Sequence, residues 1–290
     1  MGLLDQFKSL LEGKLSISQR YELLREAVSG TMSSFHMAKD KKTGEVVGLK
    51  VLDPEKTEFF EARFKGLEKP SEGEIAIQIS HPYIVKTIDY GVTNSGEHYV
   101  LMEYLDGPGL NVLIKERSPL LDGNRLNLIK QMAQSIGVVH QAGFIHRDIC
   151  PRNFICANDA TELKLIDFGL SVPATKVFMQ PGNRTGTPNY MAPEVVRRRP
   201  TDQRVDIFSL GVTAYQLCAL ELPWPSQDVT GKAAMLHDTK APIDLLEVCP
   251  KLNSKLAKVI MECLSVQPSK RPSSTEEFLR AISGVTSAES

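Results

Sequence analysis

The chain has 290 residues, with 34 Lys and Arg against 35 Asp and Glu, for a net charge of −1. A hydrophobic content of 42% and a charged content of 24% exclude wholesale disorder, and the length calls for one large or two coupled lobes. Balanced charge, with basic residues spread along the chain, excludes a dedicated nucleic-acid binder.

Residues 1–18 read as an N-terminal extension. Leu3, Leu4, Phe7, Leu10, Leu11 and Leu15 recur at helical spacing, with Asp5, Lys8, Glu12 and Lys14 between them, which predicts an amphipathic helix. Its polar face is mixed in charge, so docking on the body of the protein is favoured over a lipid surface. Met1-Gly2 invites a myristoylation reading, but position 6 is Gln rather than Ser or Thr.

From Tyr21 to about Tyr104 the pattern is rich in strands. Tyr21 to Leu24 and Phe35 to Ala38 flank Ser29-Gly30-Thr31. A turn at Lys42-Thr43-Gly44 leads to a strand from Val46 to Val51. Residues 56–80 read as helix, interrupted near Pro70-Ser71, where Ser71 can cap a new turn. Strands follow at Ile84 to Tyr90 and His98 to Glu103, and Asp106-Gly107-Pro108-Gly109 breaks the chain. Beyond the break the chain is mainly helical. Leu126, Ile129, Met132, Ile136 and Val139 share one helix face, and further helices are predicted at Val205 to Leu220, 233–238, 254–264 and 274–283. Arg197-Arg198-Arg199 reads as a solvated helix surface.

Five cysteines, at 150, 156, 218, 249 and 263, form no CxxC pair. They read as reduced thiols of a cytoplasmic protein. No apolar run reaches transmembrane length, and no signal peptide pattern opens the chain.

Three motifs carry the chemistry. His146-Arg147-Asp148-Ile149-Cys150-Pro151-Arg152-Asn153 comes first. Asp167-Phe168-Gly169 begins nineteen residues after Asp148, and Ala192-Pro193-Glu194 begins twenty-five after Asp167. A phosphoryl acceptor needs a carboxylate to orient its hydroxyl and take its proton. Magnesium on nucleotide phosphates needs hard oxygen ligands. In this order and spacing the motifs resemble the catalytic loop, metal-binding turn and activation-segment end of the eukaryotic-type (Hanks-type) serine/threonine protein kinases.

The resemblance covers about residues 21–283. It implies an α+β, bilobal protein-kinase-like fold, with a small β-rich N-lobe at about 19–104 and a larger, mainly α-helical C-lobe at about 108–285. Residues 286–290 form a tail. It also implies an ATP- and Mg-dependent enzyme that phosphorylates Ser/Thr on protein substrates. Asp148 is then the catalytic base, Asn153 and Asp167 the metal ligands, and Thr187 the residue that bonds near Asp148 and shapes the acceptor groove. Lys50 takes the place of the lysine on the α- and β-phosphates. Its carboxylate partner is Glu72, which places Ile75, Ala76 and Ile79 inward, or Glu74, which better matches the local wording; the helix-face argument favours Glu72. Met102 guards the back of the adenine pocket, Glu103 and Leu105 offer backbone groups to the adenine edge, and Ile155 completes the nucleotide-binding set. Asp206 resembles the buried anchor of the catalytic loop, Arg271 the partner of Glu194, and His146 a core histidine stacked with Phe168.

Four departures stand out. The three glycines of the nucleotide loop align with Val28, Gly30 and Ser33, so only the central one survives. Phe35 stands for the usual valine and Gly48 for the usual alanine, either as a volume compensation or as independent drift. Cys150 stands for the usual lysine. Arg152 coincides with the arginine of many tyrosine kinases and either neutralises the transferring phosphoryl group or faces solvent. Finally, Asn183 occupies the usual activating phosphosite, with Thr185 and Thr175 as other candidates. The damaged loop and Cys150 motivate the alternative of a pseudokinase or scaffold. The Thr187 to Glu194 segment, which shapes a peptide groove, disfavours a small-molecule kinase.

Overall fold

A sheet of six antiparallel strands fills the first of two units into which the chain divides. The computed structural model describes residues 15–25, 28–29, 32–182, 185–224 and 233–289. The first unit comprises 1–80 and 85–105, the second 81–84 and 106–290.

In the first unit, one helical turn, α1 (Ile17–Arg20), leads into β1 (Tyr21–Leu23), β2 (Val28–Ser29), β3 (Ser33–Asp40) and β4 (Val46–Leu52). β5 (Thr87–Val92) and β6 (His98–Glu103) complete the sheet, in the order β1-β3-β4-β6-β5 with β2 paired to β3. The β3–β4 turn is set by Asp40, whose carboxylate accepts from the Lys42 and Thr43 amides at 2.7 and 3.3 Å, a turn that Asp side chains favour. Alternation splits β4 between two faces. Val47, Leu49 and Val51 join Tyr21, Ala38, Tyr99 and Leu101 in a core on one face. Gly48 and Lys50 point to the other.

The helix expected over 56–80 is two short ones. α2 (Pro54–Glu61) is capped by Asp53, which accepts from the Lys56 amide at 3.2 Å, and α3 (Glu72–Ala76) is capped by Ser71. Between them lie a 3-10 turn, Ala62–Phe64, and a non-helical stretch ending at Pro70. Proline lacks a donor and pushes its predecessor out of the helical region. The Phe60 and Phe64 rings meet edge-on at 5.6 Å, and the Lys69 ammonium lies 5.9 Å from each.

The expected N-terminal helix falls mostly outside the described residues, which begin at Leu15. Leu15 forms a parallel bridge with Thr93 and packs with Ile17 on the sheet core. The strand expected from Ile84 starts only at Thr87. Residues 81–84 belong to the second unit because Ile84 bridges to Leu165 and the Leu165 amide donates to Tyr83 O at 2.9 Å.

The second unit contains α4 (Leu110–Lys115), α5 (Arg125–Gln141), α6 (Pro193–Val196), α7 (Arg204–Ala219), α8 (Leu245–Val248), α9 (Ser254–Cys263) and α10 (Thr275–Ala281). Two small ladders accompany them: β7 (Phe144–Ile145) with β10 (Val172–Pro173), and β8 (Phe154–Cys156) with β9 (Leu163–Leu165). Helix α7 is buried on nearly every side, as its apolar composition requires, and it is the axis on which the site residues are hung. The last described residues are tied down, since the Asn253 amide donates to Ala288 O at 2.7 Å. No described helix is long and apolar enough to cross a membrane.

Candidate active site

The first unit supplies a buried cation. Lys50 sits on β4, 8% exposed, and its Nζ donates to Glu72 Oε1 at 2.6 Å. The capping box of α3 explains the choice of carboxylate. Glu74 Oε2 accepts from the Ser71 amide at 2.6 Å while Ser71 Oγ accepts from the Glu74 amide. That backbone hydrogen bond holds the Glu74 carboxyl below its ordinary range. Glu74 is committed to the cap, and Glu72, one position into the helix, is left to meet Lys50. Ile75, Ala76 and Ile79 are buried behind it.

Phe35, Gly48 and Met102 adjoin Lys50 on the same face of the sheet. Gly48 pairs with Met102 across β4 and β6. A Cβ added at Gly48 would stand 2.9 Å from Phe35 Cζ and 3.1 Å from Met102 Cγ, closer than side-chain carbons approach. The phenyl ring thus fills the space that an alanine methyl would need, the packing that volume compensation requires. Glu103 ends β6, with its amide donating to Lys86 O at 3.0 Å, and Leu105 follows the strand. Val28 pairs with Phe35 in the β2–β3 ladder. Gly30 lies outside the described residues.

The second unit carries the carboxylates. Asp206, buried on α7, accepts from the His146 and Arg147 amides at 2.8 Å each and is bonded to His140 Nε2 at 2.9 Å. Burial pushes its carboxyl up, but the His140 bond and nearby histidines outweigh that and hold it below the ordinary carboxylate range. This clamp bends the chain through Arg147, whose φ is +68°, and presents Asp148. The His146 and Phe168 rings lie 5.4 Å apart in the core of this unit.

Asp148 is 6% exposed and takes four hydrogen bonds. Its Oδ1 accepts from Thr187 N at 2.8 Å and Thr187 Oγ1 at 2.6 Å. Its Oδ2 accepts from Arg152 Nη2 at 3.0 Å and Asn153 Nδ2 at 2.9 Å. Asn153 Nδ2 also donates to Asp148 O at 2.7 Å. Arg152 is therefore tied to the carboxylate rather than free in solvent, although its side chain remains 53% exposed. Cys150 is buried at 1% exposure, and burial pushes its thiol up to about 12, so it stays neutral. Thr187 Oγ1 lies 3.5 Å from its sulfur.

Asp167 is brought beside this loop by the β8–β9 ladder, just beyond which the Ile166 amide donates to Asn153 O at 2.9 Å. Its backbone is left-handed, φ +66°, and its exposed side chain caps the Gly169 amide at 3.0 Å. Both side-chain bonds of Asn153 use Nδ2, so Oδ1 and the Asp167 carboxylate are hard oxygen donors outside the Asp148 network. Two such donors suit Mg²⁺, which keeps most of its shell for water and phosphate. Among the described residues no cluster of three or more His, Cys, Asp or Glu could hold a metal by itself. Ile155 lies on β8, half-buried.

The segment after Thr185 is fixed at close intervals. Gly186 adopts φ +119°, and a Cβ there would lie 2.7 Å from Arg147 O, so glycine is required. Tyr190 O accepts from Ser209 Oγ at 2.7 Å and its hydroxyl bonds Gln216. Met191 O is bonded to His237 Nδ1 at 2.8 Å. Glu194 is held by both Nη atoms of Arg271, at 2.7 and 2.8 Å. Arg197, expected in solvent, instead forms a two-pronged pair with Asp238 at 2.6 and 2.7 Å, whereas Arg198 and Arg199 are exposed. Thr175 is exposed, Thr185 is buried, and Asn183 lies outside the described residues. Gln216, His237 and Asp238 belong to no motif. Only a histidine in the apolar stretch 233–238 hinted at them.

Residues 21–281 match the model of the protein kinase domain. Curated relatives include a "serine/threonine-protein kinase pkn2" of Myxococcus xanthus, 30% identical over 96% of this chain and 34% of the relative. A "serine/threonine-protein kinase pkn3" of the same organism is 29% identical over 93% and 50%. A "serine/threonine-protein kinase PknB" of Mycolicibacterium smegmatis is 29% identical over 90% and 42%. The chain thus spans half or less of the length of these relatives.

Proposed function

The chain belongs to the protein kinase family, of the Hanks serine/threonine type, and we propose that it transfers the γ-phosphate of ATP to serine and threonine hydroxyls of protein substrates. The observation that carries this reading is the Asp148 carboxylate, held by four donors from Arg152, Asn153 and Thr187. Rigid positioning of the acceptor is most of what a phosphoryl-transfer enzyme contributes, because the transition state needs little covalent help.

Each residue then has a role. Asp148 orients the acceptor hydroxyl. As its oxygen bonds to the γ-phosphorus and the bond to the β–γ bridging oxygen breaks, the hydroxyl proton passes to Asp148. Lys50, aligned by Glu72, neutralises the α- and β-phosphates. Asn153 and Asp167 would hold Mg²⁺, which supplies charge neutralisation on the phosphate oxygens. Arg152 provides the cation that Cys150 does not, and Thr187 fixes Asp148 while shaping the acceptor surface. Phe35, Gly48 and Met102 are the first unit's candidates for the purine, and the resemblance adds Val28, Gly30, Ile155 and the backbones of Glu103 and Leu105. The relatives' names support activity, and a chain released from catalysis would have no need of Lys50, Asp148, Asn153 and Asp167 together. Five free cysteines suit a reducing compartment, and we place the action in the cytoplasm.

The test is incubation of the purified chain with γ-labelled ATP, Mg²⁺ and a serine- and threonine-bearing protein, with Asp148→Asn as control. Phosphoserine or phosphothreonine from the wild-type chain alone is expected. No label in any acceptor, or phosphotyrosine as the main product, overturns the reading.

A further inference from the structure

Four aromatic and cationic side chains form a continuous cluster inside the second unit, and none belongs to the three motifs that carry the chemistry, although Arg271 holds Glu194 of the last one. The Trp224 and His237 rings lie 4.5 Å apart at 34°. His237 is also 5.5 Å from Phe208, which stacks on Trp224 at 6.0 Å. The Arg271 guanidinium lies over the Phe208 ring at 4.9 Å, while its Nη atoms hold Glu194. The Trp224 indole N–H donates to Lys240 O at 2.9 Å, which fixes the outer ring.

His237 is 2% exposed and wedged between two rings, so its imidazole has little freedom to turn. Its one bond to the acceptor segment is Nδ1 to Met191 O, 2.8 Å. A carbonyl only accepts, so Nδ1 carries the proton. Burial lowers the pKa of the ring, consistent with a neutral donor. The next residue, Asp238, is gripped by Arg197 on the far side of α6. The 3-10 turn Ala233–Asp238 is thus stitched to the acceptor segment before and after Glu194.

We propose that His237 is a positioning residue for the protein substrate: the Nδ1–H to Met191 O bond, aimed by the Trp224–Phe208 stack, holds residues 187–192 in the shape that receives the acceptor chain. The proposal rests on the reading of that segment as the acceptor surface. It assigns no chemistry to His237, which touches neither Asp148 nor the metal donors in any hydrogen bond described for it.

Two variants separate donor from ring. His237→Phe keeps the stack and removes the N–H. His237→Asn returns an N–H near the Nδ1 position and removes the ring. Kinetics with a serine peptide should show the peptide KM of His237→Phe raised roughly three- to tenfold, the range for one net hydrogen bond. The ATP KM should stay within twofold, and His237→Asn should recover most of the peptide KM. Amide hydrogen exchange by mass spectrometry should show faster exchange in His237→Phe confined to 187–197 and 233–238. A peptide KM within twofold of wild type, an equal rise in the ATP KM, or no recovery in His237→Asn overturns the proposal. If the wild-type chain transfers no phosphate, the activity reading fails, and the exchange experiment still decides this one: unchanged protection over 187–192 refutes the positioning role.

Discussion

The carboxylate end of the second unit and the Lys50 face of the first unit have departed from the family pattern to different degrees. Around Asp148 the carboxylate has four donors, and Arg152, 3.0 Å from it, is the cation proposed in place of the one missing at Cys150. On the Lys50 face the ion pair to Glu72 is intact, but the surroundings are altered at Val28, Ser33, Phe35 and Gly48. The difference is physical. A carboxylate must sit within hydrogen-bond tolerance of its donors, so its partners are constrained by angle and distance. A wall that packs on a flat base is constrained by volume and shape, and two changes of opposite size can restore it.

The largest effects should therefore fall on the carboxylate end. Asp167→Ala removes the proposed metal donor, and phosphoryl transfer should drop by about 10³-fold or more, with a modest fall in the thermal midpoint, because the variant loses the Gly169 cap and puts alanine at φ +66°. Substantial activity in the folded variant would place the metal elsewhere. Next comes Arg152→Ala, expected to lower kcat about 10²-fold, the usual scale for one charge interaction made in the transition state, while nucleotide affinity stays within a few-fold. Adding Cys150→Lys should recover part of the loss. Because Cys150 is buried, the lysine stem must run out along the loop to bring its amine to the phosphate. Full activity of Arg152→Ala breaks the claim that Arg152 substitutes for the missing lysine.

That asymmetry also decided what the bare sequence revealed. Helices α5 and α7 were legible because apolar residues recur along them, and Asp148, Asn153 and Asp167 because phosphoryl transfer demands those types at a fixed spacing. The helix-face argument already favoured Glu72 over Glu74, but the reason Glu74 is occupied, its bond to the Ser71 amide, was not visible in the sequence. The break before Pro70 was legible, but its length was not, because it depends on Lys69 finding the Phe60 and Phe64 rings. Arg197 was misread as solvated, for its partner Asp238 lies 41 positions away, and His237 was missed for the same reason. Long-range partners leave no local signal.

The Phe35–Gly48 pair sharpens the comparison, because compensation predicts coupling that independent drift does not. Gly48→Ala alone puts a Cβ 2.9 Å from Phe35 Cζ and should lower stability by about 1–3 kcal/mol, as overpacking does. Phe35→Val alone leaves a void and should weaken ATP binding several-fold. The double variant rebuilds the usual pair and should regain both, with an interaction energy of about 1 kcal/mol or more by thermal melts and titration. Strict additivity would mean that the ring swings aside freely and that the two residues changed without reference to each other.

The smallest effect is expected at the glycine positions. Val28 pairs with Phe35 and Ser33 with Leu52, so both sit in strand backbone on either side of the expected phosphate loop. A Cβ at either place keeps backbone N–H groups from approaching phosphate closely. Val28→Gly with Ser33→Gly should therefore lower the ATP KM. Two glycines in strands also cost about 0.5–1 kcal/mol each in chain entropy, and part of that loosening is repaid only when nucleotide binds. The opposition of the two terms limits the expected gain to about two- to fivefold, measured together with a modest fall in the melting temperature of the nucleotide-free protein. A folded double variant that binds ATP equally well or more weakly would show that the loop holds phosphate by another grip. The Lys50 face would then have been rebuilt throughout rather than relaxed at one edge.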